Sequence, residues 1–200
     1  MLRYLIDPAN AITAMGVLFS AVAIHLALSG HLPLAVGVAL WAMLADQLDG
    51  IVAGRLPNRA PEKAKMGKSL DGFADIIYGT IFPAIFIIEA NSASLTSAII
   101  SAALLLAGVI RLSYFNNFGL SDDGRFLGIP LSYDVPLLGV LLLMQAHLAE
   151  NFVLTLNIAF LALAALHVAP IRIPSPNKIM YGIIVLFSAG VSAALIIQSS

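Results

Sequence analysis

The chain reads as an all-α, polytopic transmembrane helix bundle. Three observations predict this. First, 60% of its 200 residues are hydrophobic and only 10% are charged, where a soluble domain carries about 25% charged residues; the mean hydropathy is +0.97. Second, the apolar residues fall into runs that approach the roughly 20 helical residues needed to cross a hydrocarbon core. Third, the cations between those runs fall in alternate connections. Cysteine is absent, which excludes a disulfide framework and any thiolate site. The net charge of −1 carries no argument for nucleic acid, and none is expected as a partner.

Taken in order, Met1 to Asp7 is short and holds Arg3 and Tyr4, which suits an interfacial anchor. Pro8 and Asn10 open the first helix, expected over 10–28; this run is long for a signal-peptide core, and no small-residue cleavage site follows it. Six further spans are expected near 33–56, 69–90, 93–117, 133–149, 152–169 and 177–198. Gly30 to Pro33, Glu89 to Ser94, Glu150-Asn151 and Pro170 to Asn177 punctuate them. No repeat or low-complexity tract interrupts the chain, so residues 1–200 are expected to form a single membrane domain.

Loop charge supports seven spans. Arg3 precedes the first. Arg55, Arg59, Lys63, Lys65 and Lys68 lie in or beside the second connection, Arg125 in the fourth, and Arg172 and Lys178 in the sixth. The alternate connections hold His31, Glu89 and Glu150 but no Lys or Arg. The positive-inside rule then makes the cationic side cytoplasmic, with the amino terminus inside.

The stretch from Asp46 to Asp75 carries the chemistry. Asp46 and Asp49 are i and i+3, on one face of a helix; Asp71 and Asp75 are i and i+4, also on one face. A carboxylate in apolar sequence is costly and marks function by default. Four such charges turned toward one point imply cations, and hard oxygen donors without Cys or nearby His select Mg²⁺, Mn²⁺ or Ca²⁺ over zinc. Gly50, Ala53, Gly67 and Gly72 leave the neighbouring helix faces bare, and Arg55 offers a fork of donors to a phosphate. The residues by themselves therefore point to metal-dependent phosphoryl chemistry near the cytoplasmic surface.

These residues resemble the CDP-alcohol phosphotransferases, which carry D-x2-D-G-x2-A-R-x8-G-x3-D-x3-D. Asp46, Asp49, Gly50, Ala53, Gly67, Asp71 and Asp75 stand in that order, with both acidic halves correctly spaced. Gly54 delays the arginine by one position, a turn of about 100° on a regular helix, and the spacer to Gly67 is long, with Pro57 and Pro61 in it. The resemblance implies a six-helix core, two divalent ions (Mg²⁺ or Mn²⁺) on the four aspartates, and Asp75 as the base. It implies CDP-diacylglycerol as donor, contacted by Gly50, Ala53, Arg55 and Gly67, with CMP released.

Further along, Arg111-Leu-Ser-Tyr-Phe115-Asn116 and Arg125-Phe-Leu-Gly128-Ile-Pro130 are similar to segments of small integral-membrane phosphatidylserine synthases. That likeness implies a small polar alcohol, best serine, as acceptor, with Arg111, Asn116 and Arg125 around it. Glycerol phosphate, inositol phosphate or choline remain alternatives. Membrane lipids are the expected surroundings, and a homodimer is allowed. From a different class, intramembrane carboxylates also build ion-coupled transporters, although here the acids lie at one end with no relay onward. Of the remaining polar residues, Asp134 is expected to cap a helix, and His25 and His167 to be packed. His31 and His147 are expected at the interface and Asp122-Asp123 in a turn. Tyr78, Phe82 and Phe86 form an i, i+4, i+8 stripe expected to pack.

Overall fold

The computed structural model describes residues 1–199, which fold into helices joined by short connections. Leu2–Ile6 forms a 3-10 turn whose Leu2 and Ile6 side chains are exposed. Helix α1, Pro8–Leu28, starts where proline's fixed φ and missing N–H are tolerated. Its N-cap is Asp7, whose Oδ1 accepts the Asn10 N–H at 3.2 Å. Helix α2, Leu32–Arg55, returns against α1. Small side chains (Ala23, Ala27, Ala35, Ala39 and Ala42, all buried) let the two backbones approach closely, the packing that replaces hydrophobic burial as a driving force inside lipid.

Helix α3, Pro61–Ile76, runs through a π turn, Ile77–Ile81, into α4, Phe82–Ala90. Pro83 has no N–H to give the Gly79 carbonyl one turn back. The ladder widens there, and the Phe82 N–H bonds the Ile77 carbonyl instead. The third expected span thus begins eight residues early, because Pro61 can open a helix inside the basic connection. Helix α5, Leu95–Phe118, is capped by Ser94, which accepts the Ser97 N–H at 3.2 Å, and stops at Gly119 with φ +70°.

The fifth expected span, 133–149, departs from expectation. A 3-10 turn, Leu131–Tyr133, leads into a ten-residue helix, α6, Asp134–Leu143. At 1.5 Å per residue this is roughly 20 Å with its leading turn, short of a hydrocarbon core of about 30 Å. The polar run Gln145 to Asn151 explains the early stop: it holds only a one-turn helix, α7 (Gln145–Leu148), and a 3-10 turn. Helix α8, Phe152–Val168, and α9, Lys178–Gln198, complete the bundle. Among the described residues, six helical segments are long and apolar enough to cross a membrane, α8 counting as one together with the turns that lead into it from Gln145, and α6 is a shorter apolar helix beside them.

Contacts between connections settle which ends lie together. The Asn10 amide donates to the Lys63 carbonyl (3.2 Å) and Lys68 Nζ to the Asn116 carbonyl (3.3 Å). Strand β1, Arg125–Leu127, pairs antiparallel with β2, Arg172–Pro174, in the register Phe126 to Ile173. The amino end and the cationic connections therefore share one end of the bundle. Near the other end, Asn91 and Asn157 exchange amide hydrogen bonds at 3.1 and 2.8 Å.

Gly128 joins the ribbon to α6. Its φ is +73°, and a Cβ there would lie 2.0 Å from the His167 carbonyl oxygen. Gly124 has the same φ but open space around it. Gly124→Ala should cost only the roughly 1–2 kcal/mol of a left-handed residue. Gly128→Ala should cost clearly more, because backbone must also move. Thermal unfolding of the two variants in detergent checks this; equal losses would mean that the close approach carries no weight.

Candidate metal centre

The site is built where α2 and α3 face each other near the cationic end. Helical spacing sends Asp46 and Asp49 from α2, and Asp71 and Asp75 from α3, into one region. Carboxylate oxygens of Asp46, Asp49 and Asp71 lie within 4.8 Å of one another. Asp75 joins them through Tyr78, whose hydroxyl is 2.9 Å from Asp46 Oδ2 and 3.0 Å from Asp75 Oδ1. With a single proton, that hydroxyl donates to one carboxylate at a time. Thr13 from α1 donates to Asp49 Oδ2. Asp46 Oδ1 is buried and has no hydrogen-bond partner in the protein.

That last atom matters energetically. A buried carboxylate oxygen without a partner is expensive, and neighbouring carboxylates add repulsion. Divalent cations answer both costs, and the donor set, all hard oxygen, fits Mg²⁺ or Mn²⁺. The three clustered carboxylates can hold such an ion.

The cluster forms part of the wall between two cavities. The smaller, about 220 Å³, is lined by Asn10, Thr13, Gly50, Ala53, Arg59, Gly67 and Lys68 together with Asp49 and Asp71. The larger, about 610 Å³, is lined by all four aspartates, Tyr78 and Arg111, and then by apolar residues, among them Phe126, Pro136, Ile184 and Phe187. Asp49, Gly50 and Asp71 face both. One cavity is therefore polar, with two cations and two carboxylates in its wall, and the other grades from carboxylates to hydrocarbon.

Several residues expected at a site are thus brought together: Asp46, Asp49, Asp71, Asp75, Gly50, Ala53, Gly67 and Arg111. Three are not. Arg55 is exposed at the end of α2 and lines neither cavity. The extra residue Gly54 rotates it away, and the chain leaves the helix at Leu56 before it could turn back. Arg59 enters the small cavity instead. Its Nε and Nη2 donate to the two oxygens of Asp7 at 3.1 and 2.8 Å, and Nη2 donates to Asn10 Oδ1 at 2.7 Å. Burial pushes the Asp7 carboxyl up, but the Arg59 hydrogen bond and charge outweigh it and hold the group below its ordinary range. A Cβ on Gly67 would meet Asn10 Oδ1 at 2.4 Å and Arg59 Nη2 at 2.8 Å, so the bare helix face here makes room for this cluster.

Asn116 is exposed, with its carbonyl accepting from Lys68 and its amide beside Gly72. Arg125 is exposed 3.6 Å from Asp123 and lines neither cavity, because the ribbon faces it outward. Arg111, by contrast, is buried, with its guanidinium over the rings of Phe115 (5.4 Å) and Phe126 (5.6 Å).

Sequence reasoning missed four partners. Tyr78, expected only to pack, is three residues after Asp75, a spacing that could have flagged it. Thr13 and Arg59 come from segments 36 and 52 residues away from the groups they bond, and no local pattern shows that. His167 is packed, as expected, but it also bonds Asp134, which is wholly buried as the first residue of α6 rather than its cap.

The family model for CDP-alcohol phosphatidyltransferase matches residues 7–187. A CDP-diacylglycerol--serine O-phosphatidyltransferase of Helicobacter pylori is 31% identical over 181 residues, covering 87% of this chain and 74% of that protein. An archaetidylserine synthase of Methanothermobacter thermautotrophicus is 34% identical over 113 residues, covering 54% of this chain and 46% of its own length.

The cluster predicts a binding phenotype that needs no assay of turnover. Asp49→Asn should weaken Mn²⁺ binding to the purified protein by at least about tenfold, the scale of losing a ligand or its support. Asp122→Asn, in the exposed turn, should leave it unchanged. Calorimetric titration with Mn²⁺ decides; equal affinities in both variants would remove the cluster as the ion site.

Proposed function

The chain belongs to the CDP-alcohol phosphatidyltransferase family, and from that premise we propose that it transfers a phosphatidyl group from CDP-diacylglycerol to the hydroxyl of serine, releasing CMP. The observation that carries this reading is the aspartate cluster set between a small polar cavity and a lipid-like one. The smaller cavity suits the nucleotide end of the donor: Lys68 offers a cationic donor, Arg59, paired with Asp7, fixes the wall, and Gly50, Ala53 and Gly67 leave it bare. The larger cavity suits the acyl chains, since α9 contributes Ile183, Ile184 and Phe187 to it while Ile183 remains largely exposed. The pyrophosphate then lies across the shared wall. Serine is favoured because one relative is named a serine O-phosphatidyltransferase and another an archaetidylserine synthase, and because Arg111 offers a buried cation to a carboxylate.

The four aspartates would hold two divalent ions. When bound, these supply positive charge against the pyrophosphate oxygens and the departing CMP. Asp75, on the larger cavity with Arg111, takes the proton of the acceptor hydroxyl. The hydroxyl oxygen attacks the β-phosphorus, the new P–O bond forms, the bond to CMP breaks, and the proton stays on Asp75. Tyr78 holds Asp75 and Asp46 in place. Arg111 orients the acceptor through its anionic group, and the apolar lining of the larger cavity excludes bulk water.

Three tests follow from this reading. In a CMP-release assay with CDP-diacylglycerol and Mn²⁺, serine should be turned over in preference to glycerol phosphate, inositol phosphate and choline, and EDTA should abolish the reaction. Full activity in chelator would overturn the metal roles, and a different preferred alcohol would overturn the serine assignment. Asp75→Asn should lower kcat by the roughly 10²–10⁴-fold typical of losing a general base while donor binding partly survives; normal turnover at saturating metal would move the base elsewhere. Finally, the sorting of cations favours the cytoplasmic side for the site, so a topology reporter inserted in the 58–66 connection should read cytoplasm, and an external reading would invert the orientation.

A further inference from the structure

Asp134 and His167 form a buried polar pair that the reaction above does not use. Both side chains have no exposed surface. His167 Nδ1 lies 2.8 Å from the Ile129 carbonyl oxygen, which can only accept, so Nδ1 carries a proton. Nε2 lies 3.1 Å from Asp134 Oδ2 and 3.3 Å from Oδ1. A bare nitrogen lone pair facing a carboxylate at that distance would be repulsive, so a second proton sits between them. Whether the pair is imidazolium with carboxylate or imidazole with carboxylic acid, its net charge is zero.

Arg111 lies in the field of both groups and, more strongly, of Asp75, which the divalent ions would engage, and it shares the larger cavity with Ser132, Tyr133 and Pro136, the chain neighbours of Asp134. It is buried, it lines the larger cavity, and its Nε has no acceptor in the protein. Among the described residues it forms no ion pair. A buried guanidinium near a buried carboxylate would ordinarily claim it. Here the imidazole has claimed it first. The backbone makes this arrangement rigid: the Ile129 N–H donates to the Leu166 carbonyl (3.1 Å) and the Gly128 N–H to the Ile171 carbonyl (2.8 Å), fixing the last turn of α8 against the approach to α6.

We infer that His167 is a positioning residue that neutralises Asp134 so that the Arg111 guanidinium stays free for the anionic group of the acceptor. This rests on the reading of Arg111 as the acceptor's contact. Without the imidazole, Asp134 becomes an unmatched carboxylate in the field of Arg111 and competes with the acceptor for it. The inference therefore assigns acceptor specificity to two residues that touch neither substrate nor metal. It also selects acceptors that carry a carboxylate or a phosphate.

The test is a two-by-two matrix in the full-length, detergent-purified protein, assayed by CMP release with CDP-diacylglycerol, Mn²⁺ and serine. His167→Phe should raise the serine KM by about tenfold or more while kcat and the donor KM stay within about threefold, the signature of lost ground-state binding. Asp134→Asn should leave the serine KM near that of the wild type. The double variant should return the serine KM to within about threefold of the wild type, because the competing carboxylate is gone. A purely structural role gives the opposite pattern: the double variant is no better than His167→Phe, and kcat and both KM values suffer together. That pattern, or an unchanged serine KM in His167→Phe, overturns the inference. Where His167→Phe does not fold, His167→Gln carries the same comparison. If the wild type prefers glycerol phosphate or inositol phosphate, the serine assignment fails and the same matrix is read with that acceptor. If it prefers choline, a cation, this inference fails too.

Discussion

Four carboxylates converging inside an apolar bundle repel one another, and the rest of the site depends on how that repulsion is contained. Isolated charges of this kind are costly in a low-dielectric interior. The protein supplies two hydroxyl partners, Thr13 on Asp49 and Tyr78 between Asp46 and Asp75, and leaves Asp46 Oδ1 with none. Neutral hydroxyls organise the acids without cancelling their charge. The cluster is thus left in a state that divalent cations complete, and any polyanion that carries or shares those cations is drawn to the same place.

Containing the charge also shapes the helices. Tyr78 reaches two carboxylates from within the π turn that Pro83 opens in the third membrane-crossing segment. The turn brings Gly79 against Leu131, where a Cβ would lie 2.8 Å from the leucine Cβ. The start of α6 thereby lines the same cavity as the aspartates. A short α6 follows from this placement: it begins among buried residues at the cavity. The two-stranded ribbon and Gly128 then fasten α8 to that starting point. One irregular turn in one helix connects the acid cluster to the pair formed by Asp134 and His167.

The two arginines of the site illustrate two ways of holding a buried cation. Arg59 is spent within the protein, bound to Asp7 and Asn10, and joins the amino-terminal segment to the small cavity. Arg111 is held only by ring faces, which stabilise a cation without consuming its hydrogen bonds. A ligand anion adds little to the first and much to the second. The polar cavity is accordingly built as a preorganised surface, and the larger one keeps an unused donor.

The sequence by itself determined the all-α membrane class, the alternation of cationic and cation-free connections, and the identity of the acid cluster. Each depends on local or periodic features: hydropathy summed over a span, charge counted per loop, and carboxylates at i, i+3 and i, i+4 on single helices. Tertiary structure alone decided which arginine enters the small cavity, because Gly54 and Pro57 act through where the chain goes after α2. It alone decided that Arg125 faces outward, that the fifth span is short, and that Asp134 meets His167 across 33 residues. A hydrogen bond or a buried pair between distant segments has no period and no local composition. It exists only once the helices have packed, so it can be read only from the packed chain.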